Sequence, residues 1–454
     1  MKLLTVHPTN PRYFTDGSGK AVYLTGSHTW ANLQDHGPVP RPGDPPPVFD
    51  WAGYLDLLEE QYHNFIRLWA WEQAAWMSKT TLKVVFDPMP YQRTGPGMAL
   101  DDQPRFDLQQ FNQAYFDRLR SRVADAGECG IYVGVMLFQG FSPMKKDLSG
   151  RKTNQPGNPW LGHPFHRENN INGVDGDVND NGQGEEVHSL DVPAVTRLQE
   201  AYVRKVVDTV NDLDNVLYEV ANESHIESKE WQYHIVRYLK EYEAGKPKQH
   251  LAGISSFYAG REGAMDAVLA SPADWVSPHN EGGRHPYHND PPAADGQKVL
   301  LSDTDHIFGV GGDDTWVWKT FCRGLHPIYM DPFGDRAGFR DWLTEWEDYE
   351  AARRAMGQTR RYAEKMDLAA MTPQDVLVST GYCLAASGAE YLVYQPESGP
   401  FTVDLTGCVG ALQVEWFDPQ TGEAGPGESI GGGGVPTLTP PFGGTAVVHL
   451  VASA

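Results

Sequence analysis

The chain has 454 residues, too many for one ordinary core, so it predicts one large domain followed by a smaller one. A formal net charge of −23 would repel a phosphate backbone or an anionic bilayer, which argues against nucleic acid and membrane partners. Four scattered cysteines without a CxxC pair argue against a disulfide framework or a cysteine-based zinc site.

The N-terminus, Met-Lys-Leu-Leu-Thr-Val-His-Pro, has an apolar run too short for a signal-peptide core. No segment of the sequence approaches the length of a membrane span. We therefore expect a cytoplasmic protein, or a secreted one if a leader has been removed from the natural chain. The oligomeric state is not predicted.

Short apolar runs alternate with amphipathic stretches over most of the chain, which is typical of βα units around a parallel sheet. The eight predicted strands are Ala21–Thr25, Phe65–Ala70, Ile131–Phe138, Val216–Val220, Leu251–Ser255, Trp275–Ser277, Val299–Ser302 and Pro327–Met330. The predicted helices are Asp50–Tyr62, Asp107–Ala126, Val192–Leu213, Ser228–Ala244, Thr315–Arg323 and Ala352–Ala370. This count predicts an α/β fold, a (β/α)8 TIM barrel over residues 1–370, with its active site in the loops after the strands.

Helical periodicity stops near residue 370, and short alternating strands separated by turn residues follow. These strands are Gly381–Ala386, Glu390–Gln395, Phe401–Asp404, Gln413–Phe417 and Thr445–Val451. They predict a small C-terminal β-sandwich over residues 371–454.

The fourth predicted strand ends in Asn222-Glu223, which places a carboxyl group at the mouth of the barrel. A glycosidase needs one carboxylic acid to protonate the leaving oxygen, and a neighbouring amide can hold an adjacent sugar hydroxyl. We therefore predict Glu223 as a catalytic acid/base and Asn222 as a substrate-binding residue. The structural alternative is a helix N-cap formed by Asn222 or Ser224.

A second carboxylate is needed at about 5 Å for retention or about 6.5–9.5 Å for inversion. Asp303 and Asp305 follow the seventh predicted strand and share one face if that strand continues. We favour Asp303 as the nucleophile because it immediately follows the apolar run, with Asp305 as the alternative. Asp-Thr-Asp is also good turn chemistry, so a purely local role stays open.

Arg67 lies inside the apolar second strand, and Trp69 and Trp71 alternate with it. A buried arginine requires a carboxylate partner, which at the barrel centre would keep a nucleophile ionised. A structural ion pair is the alternative for Arg67. The two tryptophans could stack on a sugar or pack in the core.

Other polar and aromatic residues follow the strands at the same end of the barrel, where a substrate hydroxyl could be bound. Taken together, they are predicted to bind substrate, although each alone could equally organise a loop. They are His28, Trp30, Gln139, His279, His306 and Asp331.

Residues 175–188 resemble a calcium-binding loop in their opening positions. The candidate ligands are Asp175, Asp177, Asn179 and Asn181, but His188 stands where the EF-hand pattern has its final Glu. A structural Ca²⁺ held by another geometry and a solvated acidic loop are both open. No cofactor is required by the predicted chemistry.

With Asn222-Glu223 on one strand, Arg67 on an earlier strand and an acid on a later one, the chain resembles the clan A glycoside hydrolases. In that clan the Glu after strand four is the acid/base and strand seven carries the nucleophile, usually Glu, where this chain has Asp. Residues 11–30 look like the opening of the apiosidase-like branch. The tail, with Tyr391–Tyr394 and Trp416–Glu423, looks like a β-sandwich labelled as a collagen-binding domain.

The residues and the resemblance together predict a retaining glycoside hydrolase acting on a plant or microbial polysaccharide or oligosaccharide. An exo mode is favoured because long loops, such as 141–191, close a cleft into a pocket. One alternative is a carbohydrate-binding homologue that has lost catalysis. Another is a metal-dependent hydrolase on the same barrel, with metal ligands drawn from nearby aspartates and from His279, His285, His288 and His306.

Overall fold

The fold contains the predicted barrel, seen in a computed structural model that describes residues 1–41, 43–77, 83–143, 157–257, 263–281, 286–333 and 349–453. Its strands are β1 (Gly26–His28), β2 (Phe65–Leu68), β3 (Tyr132–Gln139), β4 (Val216–Asn222), β5 (Ala252–Ser255), β6 (Trp275–Ser277), β7 (Val299–Asp303) and β8 (His326–Met330).

All eight strands are parallel and pair in the order β1-β8-β7-β6-β5-β4-β3-β2. Met330 of β8 pairs with His28 of β1. A hydrogen bond of 3.0 Å from the Asn64 N–H to the Thr25 carbonyl links the chain before β2 to the chain before β1. The sheet thereby closes, and the carboxyl ends of all strands meet at one mouth.

Helices cover the outside of the barrel, with their apolar residues buried against the strands. They are α1 (Trp51–Glu60), α2 (Gln113–Glu128), α3 (Pro193–Val210), α4 (Lys229–Glu243), α5 (Ala264–Leu269), α6 (Thr304–Ile307), α7 (Asp314–Cys322) and α8 (Tyr349–Lys365). Single 3₁₀ turns occur at Pro159–Gly162, Glu185–His188, Ile226–Ser228 and Asp375–Leu377. No helix in the described ranges is long and apolar enough to cross a membrane.

The first barrel strand lies further along the chain than the sequence predicts, at Gly26–His28 instead of Ala21–Thr25. Val22 bridges Phe14 instead, with a backbone hydrogen bond of 2.7 Å. Leu24 joins Phe14 in an apolar cluster with residues near the starts of the barrel strands. The apolar run therefore belongs to this N-terminal cluster, while polar Ser27 and His28 enter the barrel sheet.

Helix α2 begins at Gln113 and not at Asp107, because Pro104–Phe111 pairs with Tyr91–Met98 in an antiparallel hairpin. Phe106 and Leu108 alternate into an apolar cluster, and Asn112 caps the helix. Other short strands that the sequence analysis missed form a three-stranded sheet and a two-stranded one: Asp35–Pro38, Ala75–Met77 and Lys83–Asp87, and Thr5–Val6 with Phe14–Thr15.

The tail is an antiparallel β-sandwich, as the sequence predicts. Its strands are β9 (Thr372–Pro373), β10 (Cys383–Ala386), β11 (Glu390–Gln395), β12 (Phe401–Thr402), β13 (Ala411–Asp418), β14 (Glu423–Pro426), β15 (Ile430–Gly431), β16 (Thr437–Leu438) and β17 (Ala446–Ala452). The larger sheet has the order β9-β10-β11-β17-β13-β14, and β15 also pairs with β13. The smaller sheet is β12-β16.

The two faces of the larger sheet bury different sets of side chains. Val393 and Val448 face the smaller sheet, where they pack with Phe401. Tyr394 and Phe417 belong instead to a cluster that includes the buried faces of α7 and α8. The Trp318 ring of α7 stacks on Tyr394 at 6.0 Å, and the Trp318 and Phe417 ring centres are 5.9 Å apart. The barrel and the tail therefore share one hydrophobic core.

Trp318→Ala should lower the free energy of unfolding by about 3–5 kcal/mol, because it removes a buried ring that contacts both parts of the chain. Urea denaturation followed by circular dichroism measures this value. Val376→Ala is the control, since Val376 is 85% exposed in the tail, and it should change stability by less than about 0.5 kcal/mol. A loss below about 1 kcal/mol for Trp318→Ala would contradict a shared core.

Candidate active site

Glu223 stands on an unusual stretch of backbone at the barrel mouth. Strand β4 ends at Asn222, and Glu223 follows with φ of 47°, a left-handed conformation that costs energy for a residue with a side chain. Gly140 lies beside it after β3 and donates a 2.7 Å hydrogen bond to the Asn222 carbonyl. A Cβ on Gly140 would lie 2.5 Å from the Glu223 carbonyl oxygen. Only glycine therefore admits this close approach of backbones.

Arg67 is the centre of a buried polar network beneath Glu223. Its Nε and Nη2 donate to the two oxygens of Glu219 at 2.8 and 2.7 Å, and Nη2 also donates to Asn222 Oδ1 at 2.8 Å. Its Nη1 donates to Asp303 Oδ2 at 2.7 Å. Burial disfavours the charged guanidinium, but Glu219 and Asp303 outweigh burial and raise the pKa of Arg67. The residue is therefore a fixed positive charge between two carboxylates.

Both oxygens of Asp303 are occupied. Oδ2 accepts from Arg67, while Oδ1 accepts from the backbone N–H of Asp305 at 2.9 Å and lies 2.9 Å from His28 Nε2. Burial alone would raise the pKa of Asp303, but the charges of His28 and Arg67 hold it below the usual value. Asp303 is thus an ionised carboxylate at the base of the site, only 1% exposed.

Asp305, the other predicted acid after β7, has a different environment. Its Oδ2 lies 4.0 Å from Arg67 Nη1 and 3.7 Å from His306 Nε2, and this one oxygen has no hydrogen-bond partner among the described residues. Burial and then the negative charges of Glu223 and Asp303 raise the pKa of Asp305 well above its usual value. The surroundings of Asp305 therefore favour its protonated form more than those of an ordinary aspartate do.

Asn222 is held in one orientation by two donors. Its Oδ1 accepts from Arg67 Nη2 at 2.8 Å and lies 2.7 Å from His306 Nε2. His306 Nδ1 in turn lies 2.9 Å from the Ser277 hydroxyl. Burial and the charge of Arg67 lower the pKa of His306 well below its usual value, so the ring is neutral and donates through Nε2. A hydrogen bond from the Asn222 side chain also lowers the pKa of Asp305, so the amide nitrogen of Asn222 faces that carboxyl group.

Several residues predicted to bind substrate lie beneath the mouth instead. His28 is fully buried against Asp303, its ring stacked on Trp69 at 5.4 Å, and His306 is 2% exposed. Trp71 is also buried and donates to the Trp30 carbonyl at 2.9 Å. These side chains support the site from below, because they are buried and contact neighbouring protein groups.

Gln139 and Asp331 are also engaged with protein groups. Gln139 is buried, and its side-chain oxygen accepts from the Phe141 N–H. Asp331 is completely buried after β8, and its oxygens accept from Arg353 Nε and Nη2 at 2.7 and 2.6 Å. This ion pair ties β8 to α8 and leaves no oxygen of Asp331 directed at a substrate.

A smaller set of the predicted residues is partly exposed at the mouth: Trp30, Glu223, His279 and Asp305. Trp30 packs edge-on against Trp71 at 5.6 Å. His279 follows β6, where its Nδ1 lies 2.9 Å from the Asn280 carbonyl. Two carboxylates, one imidazole and one indole ring are therefore presented where a sugar could bind.

Sequence reasoning missed Glu219 and Glu72. Glu219 is a charged residue within the apolar strand β4, as Arg67 is within β2. Two opposite charges within apolar strands indicate a buried ion pair, so the sequence could have predicted this contact. Glu72 follows β2 and lies 2.9 Å from His163 Nε2 and 2.8 Å from His188 Nε2. Burial raises its pKa, but His188 and His163 reverse the shift and lower the pKa to about 2. Both histidines come from the long loop after β3, so no spacing in the sequence indicates this contact.

In the loop predicted to hold Ca²⁺, side-chain oxygens of the candidate ligands contact neighbouring protein groups. The Asp177 oxygens accept from the backbone N–H groups of Asn181 and Gly182 at 3.1 and 2.7 Å. Asn179 and Asn181 donate from their side-chain amides to Glu185 Oε1. Asp175 lies 3.6 Å from Arg167. These contacts are those of a self-hydrogen-bonded loop.

In the described part of the chain, no three His, Cys, Asp or Glu side chains are grouped to hold an ion. The alternative of a metal-dependent hydrolase therefore has no candidate metal site among these residues. His306 is occupied by Asn222 and Ser277, and His288 packs on Phe308 at 4.0 Å. His285 lies outside the described residues.

Comparisons with known proteins agree with this architecture. Residues 82–275 match a family described as a domain of unknown function (DUF6298), and residues 373–448 match the "Putative collagen-binding domain of a collagenase". A solved glycoside hydrolase aligns with a TM-score of 0.62 at 13% identity, covering 100% of this chain and 97% of that one. A glycoside hydrolase family 5 structure from Bacteroides vulgatus ATCC 8482 aligns with a TM-score of 0.63 at 12% identity, covering 99% and 93%. No curated protein sequence matches this chain. The shared feature is the whole fold, a TIM barrel with a β-rich C-terminal domain.

Gly140→Ala should lower the free energy of unfolding by about 1–3 kcal/mol, because the new methyl group must displace the backbone at Glu223 and Ser224. Thermal and urea denaturation measure the change. Gly245→Ala is the matched control, since the nearest atom to its added Cβ is 3.9 Å away and its φ is not positive. If the two variants were equally stable, the close approach at Gly140 would be wrong.

Proposed function

We propose that the protein is a retaining glycoside hydrolase in which Glu223 is the acid/base. The observation that carries the proposal is the Arg67 network, which binds Asn222 and Asp303 and so brings Glu223, directly after Asn222, and Asp305, two residues after Asp303, to the same mouth. The charge of Glu223 contributes to the raised pKa of Asp305, which requires the two carboxyl groups to be close. A retaining mechanism requires two neighbouring carboxyl groups, one as acid and one as nucleophile.

The assignment of the nucleophile follows from which oxygens are available. Asp303, favoured by its position in the sequence, has both oxygens occupied by Arg67, His28 and a backbone N–H. Asp305 has an unpaired Oδ2 and an 11% exposed side chain. Burial and the charges of Glu223 and Asp303 raise the pKa of Asp305, while the Arg67 guanidinium at 4.0 Å opposes that shift and favours the ionised form that attacks. Asp305 is therefore the nucleophile, and Asp303 keeps Arg67 and His28 in place.

The reaction proceeds in two displacements. An Asp305 oxygen attacks the anomeric carbon while the bond to the leaving oxygen breaks, and Glu223 donates its proton to that oxygen. A water molecule then attacks the same carbon, gives a proton to Glu223 and releases Asp305. Asn222, whose oxygen is engaged by Arg67 and His306, offers its N–H group to the hydroxyl next to the reacting bond.

The substrate class is a plant or microbial polysaccharide or oligosaccharide, attacked from its end. Trp30 supplies a partly exposed aromatic ring and His279 a hydrogen-bonding group at the mouth. The structures that share the fold are described as glycoside hydrolases, which supports this class of reaction. Because residues 11–30 resemble the opening of the apiosidase-like branch, the substrate panel should include apiosides.

Glu223→Gln should leave folding intact and slow hydrolysis of substrates with poor leaving groups by about 10²–10⁴-fold, because the transferable proton is gone. For 4-nitrophenyl glycosides kcat/KM should fall much less, and azide should restore turnover by attacking the glycosyl-enzyme. Steady-state kinetics on a panel of 4-nitrophenyl, phenyl and oligosaccharide substrates provide the measurement. Glu230→Gln, an exposed glutamate on α4, is the matched control. Wild-type rates for Glu223→Gln on every substrate would remove Glu223 from the mechanism.

A 2-deoxy-2-fluoro glycoside with a good leaving group should trap a covalent ester on Asp305, because the fluorine slows the second step more than the first. Tandem mass spectrometry of the labelled peptide distinguishes Asp305 from Asp303. Label on Asp303 would reverse the assignment of these two residues. Binding of oligosaccharides without turnover of any panel member would instead indicate a carbohydrate-binding homologue.

A further inference from the structure

Next to Glu223 is a buried chain of polar groups for which the proposed mechanism has no role. Ser224 Oγ lies 2.8 Å from His188 Nδ1, and His188 Nε2 lies 2.8 Å from Glu72 Oε1. Ser224 and His188 are completely buried. The His188 ring is stacked on Trp231 of α4 at 4.2 Å and 10°. Neither ring nitrogen of His188 is left without a partner, and the ring cannot turn without losing its stacking contact.

The direction of these hydrogen bonds follows from Glu72. Its oxygens face His188 and His163, and the Gln139 N–H donates to it at 2.7 Å. An ionised carboxylate can only accept, so His188 donates through Nε2. When His188 is neutral, Nδ1 is then an acceptor, and the Ser224 hydroxyl must donate to it. The chain of donors and acceptors therefore runs in one direction from Ser224 to Glu72.

Ser224 immediately follows the residue with the left-handed backbone. Such a conformation persists only where surrounding contacts determine it. Two contacts anchor the segment after Glu223 to the same 3₁₀ turn, Glu185–His188: the Ser224–His188 hydrogen bond, and one of 2.9 Å between His225 Nε2 and the Glu185 carbonyl. Gly140 approaches the segment from the other side. The backbone that carries the Glu223 side chain is therefore held through Ser224, His225 and Gly140.

We propose that Glu72, His188 and Ser224 are positioning residues, a hydrogen-bonded chain that fixes the backbone at Glu223 and so aligns its carboxyl group for proton transfer. This inference rests on the proposed function of Glu223. The loop after β3 supplies His188. The conformation of this loop therefore affects the position of the acid/base.

Ser224→Ala tests the chain by removing one hydroxyl. A misplaced acid should lower kcat/KM for phenyl glycosides by about 10–100-fold, since an error near 1 Å costs about that much. For 4-nitrophenyl glycosides of the same sugar, kcat/KM should change by less than about threefold, because that leaving group scarcely needs the proton. Glu72→Gln, at the other end of the chain, should give the same pattern. The matched controls are Ser271→Ala, at a buried serine before β6, and Glu200→Gln, which removes the charge of a carboxylate that contacts His234 on the outer helices.

A double-mutant cycle separates positioning from general damage. In a Glu223→Gln background, Ser224→Ala should add no further loss on phenyl glycosides, because no proton remains to be aligned. Equal losses on both leaving groups, or full additivity with Glu223→Gln, would overturn the inference for a folded variant. If Ser224→Ala fails to fold, the same cycle with Glu72→Gln decides. A wild-type protein inactive on the whole panel would refute the proposed function itself, whereas an active one lacking these patterns refutes only the positioning chain.

Discussion

The guanidinium of Arg67 pairs with both Glu219 and Asp303 at the centre of the barrel, and the rest of the site is built outward from this contact. Two buried carboxylates without such a partner would each face a large desolvation cost. Because Arg67 also binds Asn222, the same group orients the amide beside Glu223. Asp303, held in turn, caps the short helix that carries Asp305 and His306. A charge inside the barrel thus determines the geometry at its mouth.

The barrel could be predicted because most of its strands are apolar runs bounded by polar loops, as with the predicted Ile131–Phe138, which is Tyr132–Gln139 in the structure. The first strand could not, because Gly26–His28 is polar and short, and the apolar residues before it belong to another cluster. The hairpin before α2 was hidden for a similar reason: its apolar residues also fit a helical period. Local pattern shows where apolar surface is available, but not which neighbour covers it.

The candidate site was predictable as a set of positions and much less as a set of roles. Asn222, Glu223, Asp303, Asp305 and Arg67 do gather at one end of the barrel, since parallel strands bring their carboxyl ends together. The sequence does not show that the Asp331 carboxylate is bound by Arg353, or that His28 and His306 are buried below the mouth. Those roles depend on partners distant in the chain. Glu72 was missed altogether because the two histidines that bind it come from a loop without regular periodicity.

The hydrophobic core shared by α7, α8 and the larger sheet of the tail bears on how such proteins can diversify. A module that only tethers an enzyme to its substrate can be exchanged for another by recombination, since little is buried between the two. Here Trp318, Tyr362, Tyr394 and Phe417 form one packed cluster across the junction. An exchange of tails would expose the last helices of the barrel. Barrel and tail are therefore expected to be inherited as a pair. The main role of the tail is then structural, as part of the scaffold of the barrel.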